Sequence, residues 1–333
     1  MLRIPYSELF ETLRAVLVKM GFEPERAELC ARLFAETTRD GVYTHGVNRF
    51  PRFVRTIHNG RVDIHAAPVL VAAHGSLERW DGQGGPGNLN AHASMSRAIA
   101  LAREHGVGCV ALANTNHWMR GGSYGWQAAD AGMLAMCWTN TLPNLPPWGS
   151  SLPLLGNNPL VLAVPRAAGH VVLDMAMSQF SYGALEGHRQ RGEALPVPGG
   201  FDEMGRLTTD PAAIEKTQRV LPIGYWKGAG LALALDLFAG LLSGGQFTQA
   251  IERDPEKEAK LSQVFLAFNA PSPAAAELSA RVDGVIGQLA SSAAARGERV
   301  RYPGEQVLST RRENLEKGIP VQPAVWEQVK AMK

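Results

Sequence analysis

Cysteine is scarce in this sequence: 333 residues carry three, Cys30, Cys109 and Cys137, far apart and set among apolar neighbours. An odd, dispersed set makes neither a disulfide frame nor a zinc cluster, so these thiols are expected reduced, in the interior of a cytoplasmic protein with no bound metal. Charge of one sign is also lacking. Lys and Arg number 33 against 31 Asp and Glu, a net +2, which gives nucleic acid nothing to hold. No apolar run is long enough for a membrane. The longest, 230–242 (GLALALDLFAGLL), is shorter than the ~20 residues a bilayer needs and contains Asp236; it is expected as a buried helix. The first residues, MLRIPYSELFETLR, carry charge early and lack an apolar h-region, so no secretion signal is expected. Internal repeats and low-complexity tracts are absent as well.

What remains is an ordinary globular composition, 45% apolar and 19% charged, over a length that favours more than one core. Residues 1–60 have helical periodicity. Ser7 is placed to cap a helix with Leu9, Leu13, Val16, Leu17 and Met20 on one face, stopped by Gly21. Pro24 opens a second helix with Ala27, Cys30, Ala31, Phe34, Ala35 and Thr38 inward, and Pro51 opens a third. From Ala67 the period changes. Strands are expected at 69–73, 107–113, 133–139, 160–164, 171–175 and 264–268, with helices at 90–105, 227–242 and 273–289 and a short one after Pro320. The reading is α/β: a mixed α/β body over 67–306, and a helical domain assembled from 1–66 and 307–333.

Several stretches carry chemistry. Gly82-Gln83-Gly84-Gly85-Pro86-Gly87 satisfies G-x-G-x-x-G, the dinucleotide fingerprint. Its context argues otherwise. Glu78-Arg79-Trp80-Asp81 is not an apolar strand, the next strand is followed by no ribose-binding acid, and Pro86 lacks an N–H where a phosphate would be cradled. It is expected as a turn. Gly121-Gly122-Ser123-Tyr124-Gly125 spells G-x-S-x-G, which keeps a serine hydrolase using Ser123 as a rival, although no strand runs directly into the serine.

GVYTHGVNRF (41–50) gathers Thr44, His45 and Arg49. Histidine suits proton transfer near neutral pH and arginine suits a carboxylate; a helix from His45 would project both together at i and i+4. A capping Thr with a surface His and Arg meets the same spacing. Asp174, inside the apolar strand VVLDM, needs a partner if buried, a histidine or a strand-end cap. His117 follows a strand, and Lys227 precedes a helix whose first N–H groups could hold an anion.

Taken in order, TTRDGVYTHGVNRFPRF (37–53), NHWMRGGSYGWQAA (116–129), CWTN (137–140), PPWG (146–149), GNNPL (156–160), LDMAMSQFSYG (173–183), LPVPGGFDEMG (195–205), LPIGYWKGAG (221–230) and YPGE (302–305) span nearly the whole chain. In these stretches the sequence resembles the malate/L-lactate dehydrogenase family whose members lack a Rossmann fold. The resemblance implies a mixed-sheet, non-Rossmann NAD(P)-binding body with a helical domain, and a homodimer. It also implies hydride transfer between NAD(H) or NADP(H) and a small 2-oxo or 2-hydroxy acid.

Carried over residue by residue, it makes His45 the proton donor, Asp174 its paired acid and Arg49 the carboxylate ligand. Thr44 keeps the hydroxyl that relatives often supply from serine. Cofactor contacts fall on His170, Val171, Val172, Leu173, Asp174, Met175, Ala176, Trp226, Lys227, Gly304, Glu305 and Gln306. Arg49, His117, Asn140 and Asn158 would line the substrate pocket. Trp118, Trp126, Asn140 and Trp148 offer an aromatic, amide-rich lining that favours a polar, sugar-acid-like substrate. Malate, lactate, ureidoglycolate and cyclic imino acids are the alternatives within the family.

Overall fold

The computed structural model describes residues 2–270, 275–292 and 299–333. The chain begins with β1 (Leu2–Ile4), α1 (Tyr6–Lys19), α2 (Pro24–Arg39), a 3-10 turn at Tyr43–His45 and α3 (Phe50–His58). The middle runs β2 (Val69–His74), β3 (Leu77–Asp81), α4 (Gly87–His105), β4 (Val107–Thr115), α5 (Gly122–Asp130), β5 (Leu134–Thr139), β6 (Leu160–Val164) and β7 (Val171–Met175). Then come α6 (Tyr182–Arg191), β8 (Gly200–Phe201), β9 (Leu207–Thr208), α7 (Pro211–Thr217), α8 (Trp226–Ser243), β10 (Leu261–Phe268) and α9 (Ala275–Ser291). The chain closes with α10 (Glu305–Lys317), β11 (Ile319–Val321) and α11 (Pro323–Met332).

The principal sheet has seven strands in the order β2-β3-β4-β10-β5-β6-β7. Only β3 and β4 are parallel; every other neighbouring pair is antiparallel. The central strands β4 and β10 are apolar on both faces because both faces are covered. Val110, Leu112 and Phe265 look toward α4 and α5, where they pack with Met95, Ala98, Trp118 and Tyr124. Their alternate neighbours Ala111 and Val264 meet Ala232, Leu235 and Ala239 of α8 on the other side.

A third core joins the two ends of the chain. Leu9, Leu13, Leu17, Phe34, Phe50 and Phe53 pack with Ile319, Trp326 and Val329, and β1 pairs antiparallel with β11. Val307 and Leu308, at the start of α10, pack instead on the sheet core.

Several expectations need correction. Helix α1 starts after Pro5, not at a Ser7 cap. Helix α8 is not buried all round: Leu233, Leu237, Phe238 and Leu241 are exposed, the last two by 60% and 67%. In α9, Val285 and Leu289 are exposed, while Pro273 and the Leu278 side chain lie outside the described residues.

Residues 77–81 do form a strand, and β3-α4-β4 is a parallel crossover, the local topology that a dinucleotide loop requires. The loop is nonetheless closed on itself. Gly82 N–H donates to Ala113 O (2.8 Å), Gly84 N–H to Asn114 O (2.8 Å) and Gly85 N–H to Gly82 O (2.8 Å), and Gln83 N–H donates to Asp81 Oδ1 (2.7 Å). A phosphate would have to displace all of these. The glycines serve close packing: a Cβ on Gly87 would lie 2.2 Å from Asn116 O.

Candidate active site

The turn carrying His45 is pinned from below. Thr38, in the last turn of α2, accepts the Val47 N–H at its Oγ1 (2.9 Å), and a Cβ on Gly46 would clash with that same oxygen at 2.3 Å. Glycine at 46 therefore lets the turn sit on α2. No helix runs from His45 to Arg49, because the backbone leaves helical space at Gly46 (φ −97°, ψ −128°). Arg49 instead caps α3. The two side chains still meet in one place, by tertiary packing rather than by i,i+4 spacing.

His45 Nδ1 and Thr44 Oγ1 are 3.0 Å apart, and the His45 ring stacks on His117 with centroids 5.8 Å apart and planes 21° apart. Met119 N–H donates to His117 Nδ1 (3.0 Å), which leaves the proton of a neutral imidazole on Nε2. Burial, then the charges of Arg49 and Arg120, lower the His45 pKa to about 4. His117 is pushed well below its ordinary value by burial, then by Arg49, His45 and Arg52. Both rings are neutral at pH 7.

Arg49, Asn116, His117 and Glu258 line one small cavity, with Arg52 near its rim. Arg49 Nη2 stands 3.7 Å from Glu258 Oε2, and burial, assisted by Arg52, lowers the Arg49 pKa to about 10. Asp174 lies in a recess that water reaches but protein encloses. Its Oδ2 accepts the Gly122 N–H at 2.8 Å. Burial raises its pKa against the opposing pull of Arg120 and of that N–H. No hydrogen bond joins Asp174 to His45 among the described residues, so the expected dyad is not closed here. Arg120 bridges them electrostatically, being the one charge that acts on both.

Arg120 is in turn held by Asp40. The Asp40 carboxylate accepts from Arg120 Nη1 (2.7 Å), from Arg311 Nε and Nη2 (both 2.8 Å) and from Arg39 Nε (2.9 Å). Burial alone would raise the Asp40 pKa, but these guanidiniums outweigh it and hold it at about 2. One buried carboxylate thus ties together α2, α10 and the loop before α5.

The segments assigned to the cofactor converge on β7, the edge strand of the sheet. Val172 N–H donates to Pro303 O (3.0 Å). Gly304, at φ +97°, lies so close to β7 that a Cβ there would sit 3.1 Å from both His170 O and Val172 N. Buried beside this notch, Trp126 Nε1 and Glu305 Oε2 have no hydrogen-bond partner among the described residues. Glycine at 304 lets the start of α10 pack against β7, and the two free polar atoms beside it are groups that a dinucleotide could bond. His170 itself is occupied: its Nδ1 accepts the Arg166 N–H (3.0 Å) and its Nε2 meets Asp130 Oδ1 (2.8 Å). Gln306 is held by Arg301 (2.7 Å). At the other end of β7, Ile223 N–H donates to Met177 O (2.9 Å), which brings the exposed Trp226 and Lys227 at the start of α8 to the same edge.

The chain matches the family model described as malate/L-lactate dehydrogenase over residues 4–330. The chain belongs to the malate/L-lactate dehydrogenase family. It is 44% identical to a 2,3-diketo-L-gulonate reductase of Klebsiella pneumoniae over 333 residues, covering 99% of this chain and all of that one. Its fold is similar to the sulfolactate dehydrogenase of Methanocaldococcus jannaschii (TM-score 0.92, 26% identity, 99% of this chain and 96% of that one). It is also similar to the malate dehydrogenase of Pyrococcus horikoshii (TM-score 0.89, 29% identity, 99% and 94%). The chain is accordingly an NAD(P)-dependent oxidoreductase.

Some sequence expectations fall away at the site. Asn140 is wholly buried and fully bonded: its amide donates to Asp236 Oδ1 (2.9 Å) and Gln246 O (2.8 Å), and its Oδ1 accepts the Ser262 N–H (2.8 Å). Asn158 is likewise buried, donating to Ala232 O (2.8 Å) and accepting the Thr141 N–H (3.1 Å). Both brace loops and do not line the cavity. Trp118 and Trp126 belong to the sheet core, and Trp148 is 48% exposed. Ser123 sits in the first turn of α5, eight residues past the end of β4, with no histidine bonded to it among the described residues, so the nucleophile-elbow reading has no support.

Asp40, Arg120 and Glu258 carry no local sequence signal of a role at the site. Arg120 lies inside NHWMRGGSYGWQAA with nothing in its neighbours to mark it. Glu258 sits in the charged stretch DPEKEAK, which reads as surface until Arg49 is seen across from it.

Proposed function

We propose that the protein reduces the ketone of a 2-oxo acid with a nicotinamide dinucleotide. The observation that carries this reading is that Arg49 and His117 line one cavity and that the His45 ring stacks on His117 beside it. Arg49 takes the substrate carboxylate in a planar, bidentate fashion. The bound cofactor supplies hydride to the carbonyl carbon. His45 delivers a proton to the carbonyl oxygen, and His117, with its proton on Nε2, donates a hydrogen bond to the same region. In the empty site His45 is held neutral partly by the Arg49 charge. A substrate carboxylate on Arg49 cancels that charge, so substrate binding itself favours the protonated acid. Thr44 orients the imidazole through Nδ1, while Asp174 acts on Arg120 and holds the Gly122 N–H, one step behind His45.

The full-length similarity to 2,3-diketo-L-gulonate reductases makes reduction of 2,3-diketo-L-gulonate to 3-dehydro-L-gulonate the leading reaction, ahead of malate, lactate, ureidoglycolate or a cyclic imino acid. NADH is the proposed carrier. Glu305, whose other oxygen is paired with Arg299, offers its free Oε2 to a ribose hydroxyl. The assay is NADH and NADPH oxidation with 2,3-diketo-L-gulonate, oxaloacetate and pyruvate. Turnover with 2,3-diketo-L-gulonate and higher kcat/KM for NADH are expected; turnover of none of the three would refute the reading.

The proposed assembly is a homodimer, supported by the exposed apolar face of α8, where Phe238 and Leu241 stand in water. Leu241→Glu should convert a dimer to a monomer in sedimentation. A wild-type monomer would end this part of the proposal.

A further inference from the structure

The cavity shared by Arg49 and His117 has a carboxylate in its wall that the reaction does not require. Glu258 is 6% exposed. Its Oε1 accepts the Leu142 N–H (3.2 Å), which fixes the side chain. Its Oε2 takes no hydrogen bond among the described residues; the Arg49 guanidinium stands 3.7 Å away, beyond hydrogen-bond reach. Arg52, on the same wall, is matched by Glu256 (3.5 Å). Each of these two guanidiniums therefore already faces a carboxylate, and the lining offers no surplus positive charge for a second anionic group.

We propose that Glu258 selects the substrate: it excludes 2-oxo acids with a second acidic group and accepts, through Oε2, a hydroxyl of a polyhydroxylated 2-oxo monocarboxylate. The inference rests on the reading of this pocket as a 2-oxo acid site. With Arg49 shared between Glu258 and the first carboxylate of a dianion such as oxaloacetate, the second carboxylate would enter a confined space beside Glu258 with no cation left for it, where like charges repel strongly because little water screens them. A hydroxyl brings a donor to an acceptor that lacks one. The malate and sulfolactate dehydrogenases of similar fold are named for dianionic substrates, and the 2,3-diketo-L-gulonate reductases for a monoanionic, hydroxylated one.

Oxamate and oxalate test this without turnover. They share one planar shape and differ by one charge. Their Kd values, measured by tryptophan fluorescence at saturating NADH, give an oxalate-to-oxamate preference for the wild type and for Glu258→Gln. The expected result is a shift of at least tenfold toward oxalate in Glu258→Gln, and a shift under threefold in Glu258→Asp, which keeps the charge. A change under twofold in Glu258→Gln overturns the proposal. If Glu258→Gln does not fold, the wild type and Glu258→Asp decide: both must prefer oxamate, and an oxalate preference in either overturns it. Failure of the wild type to reduce any 2-oxo acid is a separate outcome, and it refutes the functional reading itself.

Discussion

Replacing His45 by Gln lowers kcat by about 10²–10⁴-fold, the usual contribution of a positioned acid, and leaves the Kd for NADH within about twofold. The imidazole beside the pocket has both the chemistry and the freedom to give up a proton: its Nδ1 is turned to Thr44, and its ring is stacked on the pocket residue His117 rather than bonded to it. The pH profile sharpens the test. In the free enzyme the His45 pKa lies at about 4, below its ordinary 6.5. Since kcat/KM reports the free enzyme, the reductive kcat/KM should fall as pH rises through neutrality, approaching tenfold per unit. Glutamine removes that slope.

The same residue ties stability to pH. Its folded pKa lies below the unfolded value, so the unfolded chain takes up the proton first. The contribution is complete above 6.5 and is lost as pH falls toward 4. Urea midpoints at these two pH values should therefore converge in His45→Gln more than in the wild type. A His45→Gln enzyme with wild-type kcat would remove His45 from the chemistry.

Asp40→Asn should cost about 3–5 kcal/mol of stability, the range for removing one partner from a buried ion cluster. The carboxylate is 4% exposed and serves three guanidiniums at once, one of them Arg120, itself 5% exposed. Asparagine keeps the shape but cannot balance the charge, and it leaves Arg120 in the interior without a counter-ion. Because the cluster joins α2 and α10 to the loop before α5, the loss should appear as one lowered transition in urea, with weaker oxamate binding below it. A change under 1 kcal/mol would show that the cluster is not a structural hinge of the site.

Much of this architecture was legible in the sequence, for identifiable reasons. Strands such as Leu160–Val164 and Val171–Met175 are short apolar runs between Gly and Pro, and they form where the pattern puts them. Strand β3 was hidden because LERWD lies beside an edge strand and carries Glu78, whose charge is neutralised at a distance by Arg97 (2.6 Å). Periodicity sees burial, but it does not see a partner nineteen residues away. The first and last strands were hidden for a related reason: β1 and β11 are three residues each, and each is a strand only because the other is beside it.

At the site, the residues of GVYTHGVNRF do lie near one another, but not through the helix that their spacing suggests. A turn braced by Thr38, and not a helix, sets the positions of His45 and Arg49. Asn140 and Asn158 resembled pocket groups because polar residues near strand ends often are, but their hydrogen bonds are all satisfied inside the protein. Glu258 could not have been found locally, since its burial is created by Arg49 more than 200 positions earlier in the chain.

The central claim is that hydride and proton reach a 2-oxo acid in the pocket of His45 and Arg49. The most direct measurement uses NADH with both nicotinamide C4 hydrogens replaced by deuterium, incubated with 2,3-diketo-L-gulonate and the wild-type protein, with the product examined by mass spectrometry. The account predicts one deuterium on the newly formed carbinol carbon for each NADH consumed, and none formed at a comparable rate by Arg49→Gln or His45→Gln. NADH consumption without deuterium in the product, or undiminished transfer in both variants, would contradict it.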